Sequence, residues 1–269
     1  MKNTLGAISC LLTFAVYASE GARYRYAELR SGEAFVASRA LCAGSDVSVH
    51  TFDSYITLSS NSQSVRVDDL SVDPVEVIVG DLWGNRRCFV AVKVAQGQVN
   101  ESYEVYDISR GLKPRKITGL TLINPDFTEG RVQNGYREQA KWNWEALCYS
   151  ELSNRPYVCE VRRFVTDDLQ SMKTCPEQGG CEAEQLVVAG TKNAATAEVV
   201  VRRAVLLDRG AYGFKPRSSY LIKGDSINLV GYHDTGDNLY FMFTYKKGGR
   251  KTTAWINSSD VQLTSKISR

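Results

Sequence analysis

The sequence predicts an all-β protein, on three observations. Apolar and polar residues alternate with a period of two in many short runs, for example Val75–Val79. Turn-forming residues separate these runs, as at Asp73-Pro74 and Gly84-Asn85. Helical patterns are scarce, and the best candidate, residues 27–41, is interrupted by Gly32. Because a period of two buries one side of each strand and leaves the other in water, we expect antiparallel sheets.

The length of 269 residues favours two domains, since it exceeds what one small barrel needs. Between residues 167 and 197 the composition shifts to polar and small residues, ending in Gly190–Ala197. The predicted division is a signal peptide at 1–18, a β-rich domain at 19–168, a linker with a short cysteine loop at 169–197, and a C-terminal domain at 198–269.

The N-terminus has the layout of a secretory signal peptide. Lys2 precedes the apolar run Leu11–Val16, and the small residue Ala18 marks the expected cleavage site. A short buried helix is the alternative interpretation. No later run approaches the roughly 20 apolar residues that a membrane-spanning helix requires. We therefore expect a soluble mature chain without a transmembrane segment, located in the periplasm.

The cysteines indicate disulfides, because six remain after cleavage and an even count is typical of exported chains. They are Cys42, Cys88, Cys148, Cys159, Cys175 and Cys181. The sequence alone does not fix the connectivity, but spacing favours Cys148 with Cys159 across a hairpin and Cys175 with Cys181 around a short loop. Cys42 with Cys88 follows by elimination. A zinc site is the rival interpretation, but neither close pair has the usual two-residue spacing, so no metal or cofactor is expected.

Positive charge is concentrated towards the C-terminus. From Glu198 to Arg269 there are twelve Lys or Arg and six Asp or Glu residues. The basic residues cluster at Arg202-Arg203, Lys215–Arg217 and Lys246–Lys251. Such a domain would attract an acidic partner surface or an anionic wall polymer; a solvated face is the alternative. The net charge does not indicate nucleic acid, and no nucleic-acid partner is expected.

The C-terminal part shows turn and strand signals in a characteristic order. A Gly224-Asp225 turn leads into Ser226–Gly231, an aromatic run Tyr240–Tyr245 follows, and Trp255-Ile256 comes near the end. This order resembles bacterial SH3-like domains, in which a Gly-Asp turn enters a strand and a Trp-Ile strand closes a small barrel. The resemblance implies a C-terminal barrel that binds a ligand and performs no chemistry.

Aromatic residues line the ligand grooves of such domains, because flat rings give a large contact area at a small entropic cost. The candidates are Tyr212, Phe214, Tyr220, Tyr232, Tyr240 and Trp255, of which Tyr212, Tyr220, Tyr240 and Trp255 are selected as binding residues. The alternation of Phe241, Phe243 and Tyr245 predicts that one side of that strand is buried and that Tyr240 points the other way. For Trp255, a core position that fills the barrel is the alternative.

Further motifs occur upstream, at Gly80–Asn85, Tyr103–Asp107, Leu120–Phe127, Arg131–Arg137 and Trp142–Leu147. Together they are similar to a family of exported bacterial β-rich proteins related to lysozyme inhibitors. The resemblance implies a domain that acts on a protein partner. Arg137 and Trp142 belong to an aromatic and guanidinium set on neighbouring predicted strands, and we select them as binding residues.

One motif departs from the family pattern. Where members carry a calcium-type loop, this chain has Asp81–Cys88, in which only Asp81 and Asn85 supply side-chain oxygens and two arginines follow. Calcium takes about six to eight oxygen ligands, so metal binding is not expected. We hypothesise that a Cys42–Cys88 disulfide gives this loop the rigidity that calcium gives elsewhere.

Signals for catalysis are weak. Nucleophilic catalysis needs a neighbouring base, most often histidine, and the chain has only His50 and His233, each of which we interpret as a surface residue. Paired carboxylates of the glycosidase type stay open, because their separation cannot be read from the sequence. No enzyme activity is expected.

The sequence thus predicts a periplasmic binding protein that recognises and restrains a cell-wall-active enzyme or toxin, as an inhibitor or immunity-type protein. A peptidoglycan-binding envelope module with a structural role is the alternative. An enzyme that acts on the wall is a third possibility.

Overall fold

The computed structural model describes residues 23–42, 44–68, 70–108, 113–127 and 131–264. The predicted signal peptide, residues 1–18, lies outside these ranges. Regular structure in them is almost entirely antiparallel β-strand, with a short 3₁₀ helix at Ser258–Asp260. The all-β prediction is confirmed. The internal contacts divide the chain into unit 1, residues 1–122, and unit 2, residues 123–269.

Unit 1 is built from two antiparallel sheets. Its strands are β1 (Tyr24–Leu29), β2 (Ala34–Ala37), β3 (Val47–Thr51), β4 (Tyr55–Ser60), β5 (Gln63–Asp68), β6 (Val75–Gly80), β7 (Phe89–Gln96), β8 (Glu101–Asp107) and β9 (Arg115–Ile123), which ends at the border of the unit. One sheet has the order β1-β6-β7-β8-β9 and the other the order β2-β3-β4-β5. Residues 27–41, the best helical candidate, contain the end of β1 and the whole of β2, which are separated by a turn at Gly32 with φ +82°.

The core of unit 1 contains side chains from both sheets. The four-stranded sheet contributes Val49, Ile56 and Leu58, and the five-stranded sheet contributes Val77, Val90 and Val92. All six are fully buried. Burial alternates along β3 and β4, as a period of two predicts, whereas the first five residues of β7 are all buried.

A polar network lies on the five-stranded sheet. The Nζ of Lys93 is 2.7 Å from a carboxylate oxygen of Glu76 and 2.8 Å from one of Glu101. The hydroxyl of Tyr103 donates to the other Glu76 oxygen over 2.8 Å. Burial by itself raises the pKa of Glu76, but the hydrogen bonds from Lys93 and Tyr103 outweigh it, so the pKa lies below its usual value.

Unit 2 also contains two antiparallel sheets. Its strands are β10 (Val132–Glu138), β11 (Lys141–Ser150), β12 (Arg155–Thr166), β13 (Leu169–Thr174), β14 (Gln185–Val188), β15 (Thr196–Val199), β16 (Arg203–Gly210), β17 (Gly213–Ile222), β18 (Ser226–Asp234), β19 (Leu239–Lys247), β20 (Arg250–Asn257) and β21 (Val261–Leu263). The first sheet has the order β10-β11-β12-β13-β14, and the second β17-β16-β20-β19-β18-β15-β21.

The seven-stranded sheet is open within the described residues. β15 pairs with both β18 and β21, so the sheet continues beyond β18 and leaves β17 and β21 as its two edges. The closed SH3-like barrel expected for residues 198–269 is therefore not confirmed. Residues 169–197, predicted to be a linker, contain β13, β14 and the start of β15.

The core of unit 2 explains why residues 169–197 form strands. Leu169 of β13 and Leu186 of β14 belong to the same buried cluster as Ile227, Phe243 and Ile256 of the seven-stranded sheet. Burying these leucines removes apolar surface from water, which stabilises strands in a segment whose composition is otherwise polar. The first sheet of unit 2 thus packs its β13–β14 end against the seven-stranded sheet.

The Gly-Asp turn identified in the sequence fixes the start of β18. Gly224 has φ +90°, which favours glycine. The carboxylate of Asp225 accepts a hydrogen bond from the backbone N–H of Ile222 over 2.9 Å and another from the hydroxyl of Tyr245 over 2.7 Å. The turn is therefore anchored to both β17 and β19.

The three disulfides join Cys42 to Cys88, Cys148 to Cys159 and Cys175 to Cys181. This pairing confirms the one that spacing favoured. Cys42 and Cys88 are both buried in the core of unit 1. Next to Cys88, the two carboxylate oxygens of Asp81 accept hydrogen bonds from the backbone N–H groups of Asn85 and Arg86, each over 2.9 Å. The loop is thus held by hydrogen bonds between the Asp81 side chain and its own backbone, and by a disulfide bond at its end.

Candidate binding surface

The candidate site lies on the face of the seven-stranded sheet that is turned away from the core of unit 2, which we call the outer face. Along β19, Phe241 and Phe243 are buried in the core, so Tyr240 between the turn and Phe241 faces outward. On β20, Ile256 is buried and Trp255 faces outward for the same reason. This confirms the predicted burial of alternate positions on the aromatic strand.

An irregularity in β18 places His233 on this face. The register between β18 and β19 shifts between Leu229 and Gly231, which reverses the side to which the following residues point. Leu229 and Tyr232 therefore both face the core, whereas His233 faces outward and pairs with Tyr240. Without the bulge, His233 would lie on the same side as Leu229.

Four rings meet at this place. The ring of Phe214, on β17, stacks on Tyr240 with centroids 4.1 Å apart and an interplanar angle of 29°. It also meets Trp255 at 5.4 Å and His233 at 5.7 Å, and His233 meets Trp255 at 6.4 Å. We call these four residues the aromatic cluster. All four side chains are half-buried, so the rings hold one another in place and still present surface to solvent.

Two arginines of β16 flank the aromatic residues. Ala204 and Leu206 are buried in the core, so Arg203 and Arg209 lie on the outer face. The guanidinium carbon of Arg209 is 5.7 Å from the ring centre of Trp255, and that of Arg203 is 4.1 Å from the ring centre of Tyr220. Both distances allow cation–π attraction.

The remaining predicted binding residues lie outside the aromatic cluster. Tyr212 lies in the turn between β16 and β17 and is 101% exposed, and Tyr220 on β17 is 48% exposed. Arg137 of β10 and Trp142 of β11 are cross-strand neighbours in the other sheet, and Trp142 is 40% exposed. The structure brings Tyr240 and Trp255 together and leaves the other four outside the aromatic cluster.

An ion pair links the two sheets of unit 2 near the cluster. The Nζ of Lys141, next to Trp142, is 2.6 Å from a carboxylate oxygen of Asp234, next to His233. The hydrogen bond from Lys141 and one from the backbone N–H of Gly236 lower the pKa of Asp234. The β10–β11 turn therefore lies beside the end of β18.

Sequence reasoning missed the centre of the cluster. Phe214 is an aromatic candidate but not one of the predicted binding residues, and the sequence predicts a surface position for His233 without a binding role. Neither Arg203 nor Arg209 was selected. The alternation along β16 offered a signal, since Ala204 and Leu206 mark the core side of the strand and so place both arginines opposite. The bulge that turns His233 outward has no comparable signal in the sequence.

The histidines and cysteines of the described residues lie in different surroundings. His50 is exposed on β3, and His233 is packed among rings. All six described cysteines are in disulfides. In the part of the chain that the structure covers, no group of three or more His, Cys, Asp or Glu residues could hold a metal ion. Nor does any helix there have the length and apolar composition needed to cross a membrane.

No protein-family model matches the chain, and no curated protein or solved structure is significantly similar to it.

Proposed function

We propose that this chain is an exported binding protein that recognises and restrains a protein partner, a cell-wall-active enzyme or toxin, through the outer face of its seven-stranded sheet. The observation that carries the proposal is the aromatic cluster, in which Phe214 contacts three other half-buried rings. Aromatic residues and arginine are enriched at the energetic centres of protein interfaces. The cluster with Arg209 has this composition.

The cluster is not needed to fill the core. Phe243 and Ile256 are fully buried on the opposite side of the same strands. Rings that stay half-exposed on the outer face leave apolar surface in water, which a partner would remove on binding. Because neighbouring rings already restrict each side chain, binding would cost little further conformational entropy.

Three further observations support an exported inhibitor or immunity-type protein. The N-terminal sequence has the layout of a signal peptide. Three disulfides are typical of an oxidising compartment such as the periplasm. The resemblance of residues 80–165 to proteins related to lysozyme inhibitors, and of the C-terminal part to SH3-like domains, points to binding and not to catalysis.

A peptidoglycan-binding envelope module is the second candidate. Phe214 and Tyr240 are stacked and half-buried, and exposed aromatic rings also suit the ligands of wall-binding SH3-like domains. The two candidates differ in the ligand and share the site.

Affinity capture from an envelope extract tests the proposal. The purified protein is the bait, W255A is the variant, and Y55A is the matched control, because Tyr55 is a stacked surface aromatic of unit 1. We expect one dominant wall hydrolase or toxin with the protein and with Y55A, and its loss with W255A. The captured enzyme should lose activity when the protein is added in equimolar amount.

Two outcomes contradict the proposal. Sedimentation of the purified protein with isolated sacculi, lost in W255A, without capture of an enzyme, would establish the envelope module instead. Release of soluble wall fragments by the highly purified protein would establish an enzyme.

A further inference from the structure

The segment that contains β16 and β17 has two properties that the aromatic cluster alone does not explain. Residues 202–223 contain six Lys or Arg and one Asp, a charge difference of +5. The same segment exposes apolar side chains: Val205, Tyr212, Tyr220 and Ile222 are between 39% and 101% exposed. A face that combines positive charge with exposed apolar groups is suited to a ligand that is acidic and partly apolar.

Two positions on this face are built alike. Arg203 lies over the ring of Tyr220 and Arg209 lies over the ring of Trp255. Attraction to a ring restricts a guanidinium group, and its planar set of N–H groups can hold a carboxylate with two parallel hydrogen bonds. Neither arginine has an ion-pair partner among the described residues, whereas Arg217 of the same hairpin is paired with Asp208.

The spacing of these two positions is set by the strand. Arg203 and Arg209 are six residues apart on β16, which corresponds to about 20 Å at roughly 3.3 Å per residue. Between them the outer face carries Val205, Leu207 and Pro216, of which Leu207 and Pro216 are direct cross-strand partners. The face therefore presents a cation, an apolar stretch and a second cation in a line.

We propose that this line is a docking site for an acidic, extended segment of a protein partner, with carboxylates held at Arg203 and Arg209 and apolar side chains on Val205 and Leu207. The inference rests on the proposed function, since it names the chemistry of the partner that the outer face recognises. Charge complementarity selects this occupant: a second copy of the chain would bring the same positive face and be repelled.

The test uses fluorescein-labelled synthetic peptides and the purified protein, with binding followed by fluorescence anisotropy. One peptide carries two Glu-Glu pairs separated by about six residues with Val and Leu between them, to match the spacing on the strand. A second has the pairs adjacent, and a third replaces every Glu by Gln. We expect the first peptide to bind tightest, with an affinity that falls as salt is raised.

The variants are R203Q and R209Q, with R66Q as matched control. Arg66 also lies over a tyrosine ring, that of Tyr55 at 3.7 Å, but it is ion-paired with Asp68 within the chain. Each outer-face variant should weaken binding of the first peptide about twofold to fivefold, the range expected for one partly exposed charge pair. R66Q should leave it unchanged. Circular dichroism establishes that the variants are folded.

Equal binding of the three peptides, or equal affinity of R203Q, R209Q and the unchanged protein, overturns the inference. Binding to vesicles of phosphatidylglycerol that is lost in R203Q and R209Q, without peptide binding, overturns it in favour of a lipid surface. The proposed function is judged separately: if the captured enzyme binds R203Q and R209Q normally and W255A poorly, the proposed function stands and the acidic docking site fails. If the peptides bind as expected but no enzyme is captured, the acidic docking site stands and the proposed function fails.

Discussion

Replacing Phe214 by alanine tests whether the aromatic cluster is a binding surface or part of the core. Phe214 contacts three rings at centroid distances of 4.1, 5.4 and 5.7 Å. Such ring pairs contribute about 0.5–1.5 kcal/mol each beyond area burial. Because the rings of the cluster are half-exposed, we take the lower part of this range and expect F214A to lower the free energy of unfolding by about 1–2 kcal/mol.

Phe243 provides the comparison, since it lies on the same sheet and is 0% exposed. Truncating a fully buried phenylalanine costs about 3–5 kcal/mol, so F243A should be clearly less stable than F214A. Urea denaturation followed by tryptophan fluorescence measures both values. For a central interface residue, truncation costs about 2 kcal/mol of binding free energy or more, roughly a 30-fold loss of affinity. Calorimetric titration with the captured partner measures this loss for F214A.

If F214A destabilises the protein as much as F243A, the cluster is part of the core and the prediction of a binding surface is wrong. The prediction is also wrong if F214A remains folded and binds the partner with unchanged affinity. A loss of affinity much larger than the loss of stability is the expected result.

Two further predictions concern stability. Replacing both cysteines of the Cys42–Cys88 pair by alanine should lower the free energy of unfolding more than replacing those of the Cys175–Cys181 pair, because the sequence separations are 46 and 6 residues. The loop-entropy relation gives losses of about 4 and about 2 kcal/mol. Denaturation midpoints that rank the two variants the other way would contradict this prediction. Glu76 has a lowered pKa in the folded protein, so its contribution to stability is present above the unfolded pKa of about 4.3 and is lost as the pH falls below it. The variant E76Q should flatten the decline of stability between about pH 5 and pH 3, and an unchanged acid profile in urea denaturation would refute this.

The sequence predicted those parts of the fold that depend on local pattern. Alternation in Tyr240–Tyr245 fixed which side of β19 is buried, and short spacing identified two of the disulfides. The sequence did not predict that β15 lies between β18 and β21, because strand order depends on contacts between residues far apart in the chain. The polar and small residues that dominate 169–197 concealed the short apolar run at Leu186–Val188, which forms β14 and buries Leu186 against the second sheet.

The candidate site was predicted in part for a similar reason. Tyr240 and Trp255 could be selected because residue type and alternation carry information about exposed aromatic positions. The meeting of Phe214 with both residues requires that β17 and β20 flank β16, which is a property of the whole sheet. A one-residue bulge in β18 then decides the orientation of His233, and nothing in the local pattern marks it.

The loop at Asp81 has a practical consequence for this protein. Both oxygens of the Asp81 side chain are occupied by main-chain donors of Asn85 and Arg86, and the disulfide at Cys88 holds the end of the loop. A turn stabilised in this way does not depend on a bound divalent ion. Treatment with a chelator should therefore leave this loop folded, whereas a reducing agent, which breaks the Cys42–Cys88 bond, should weaken it.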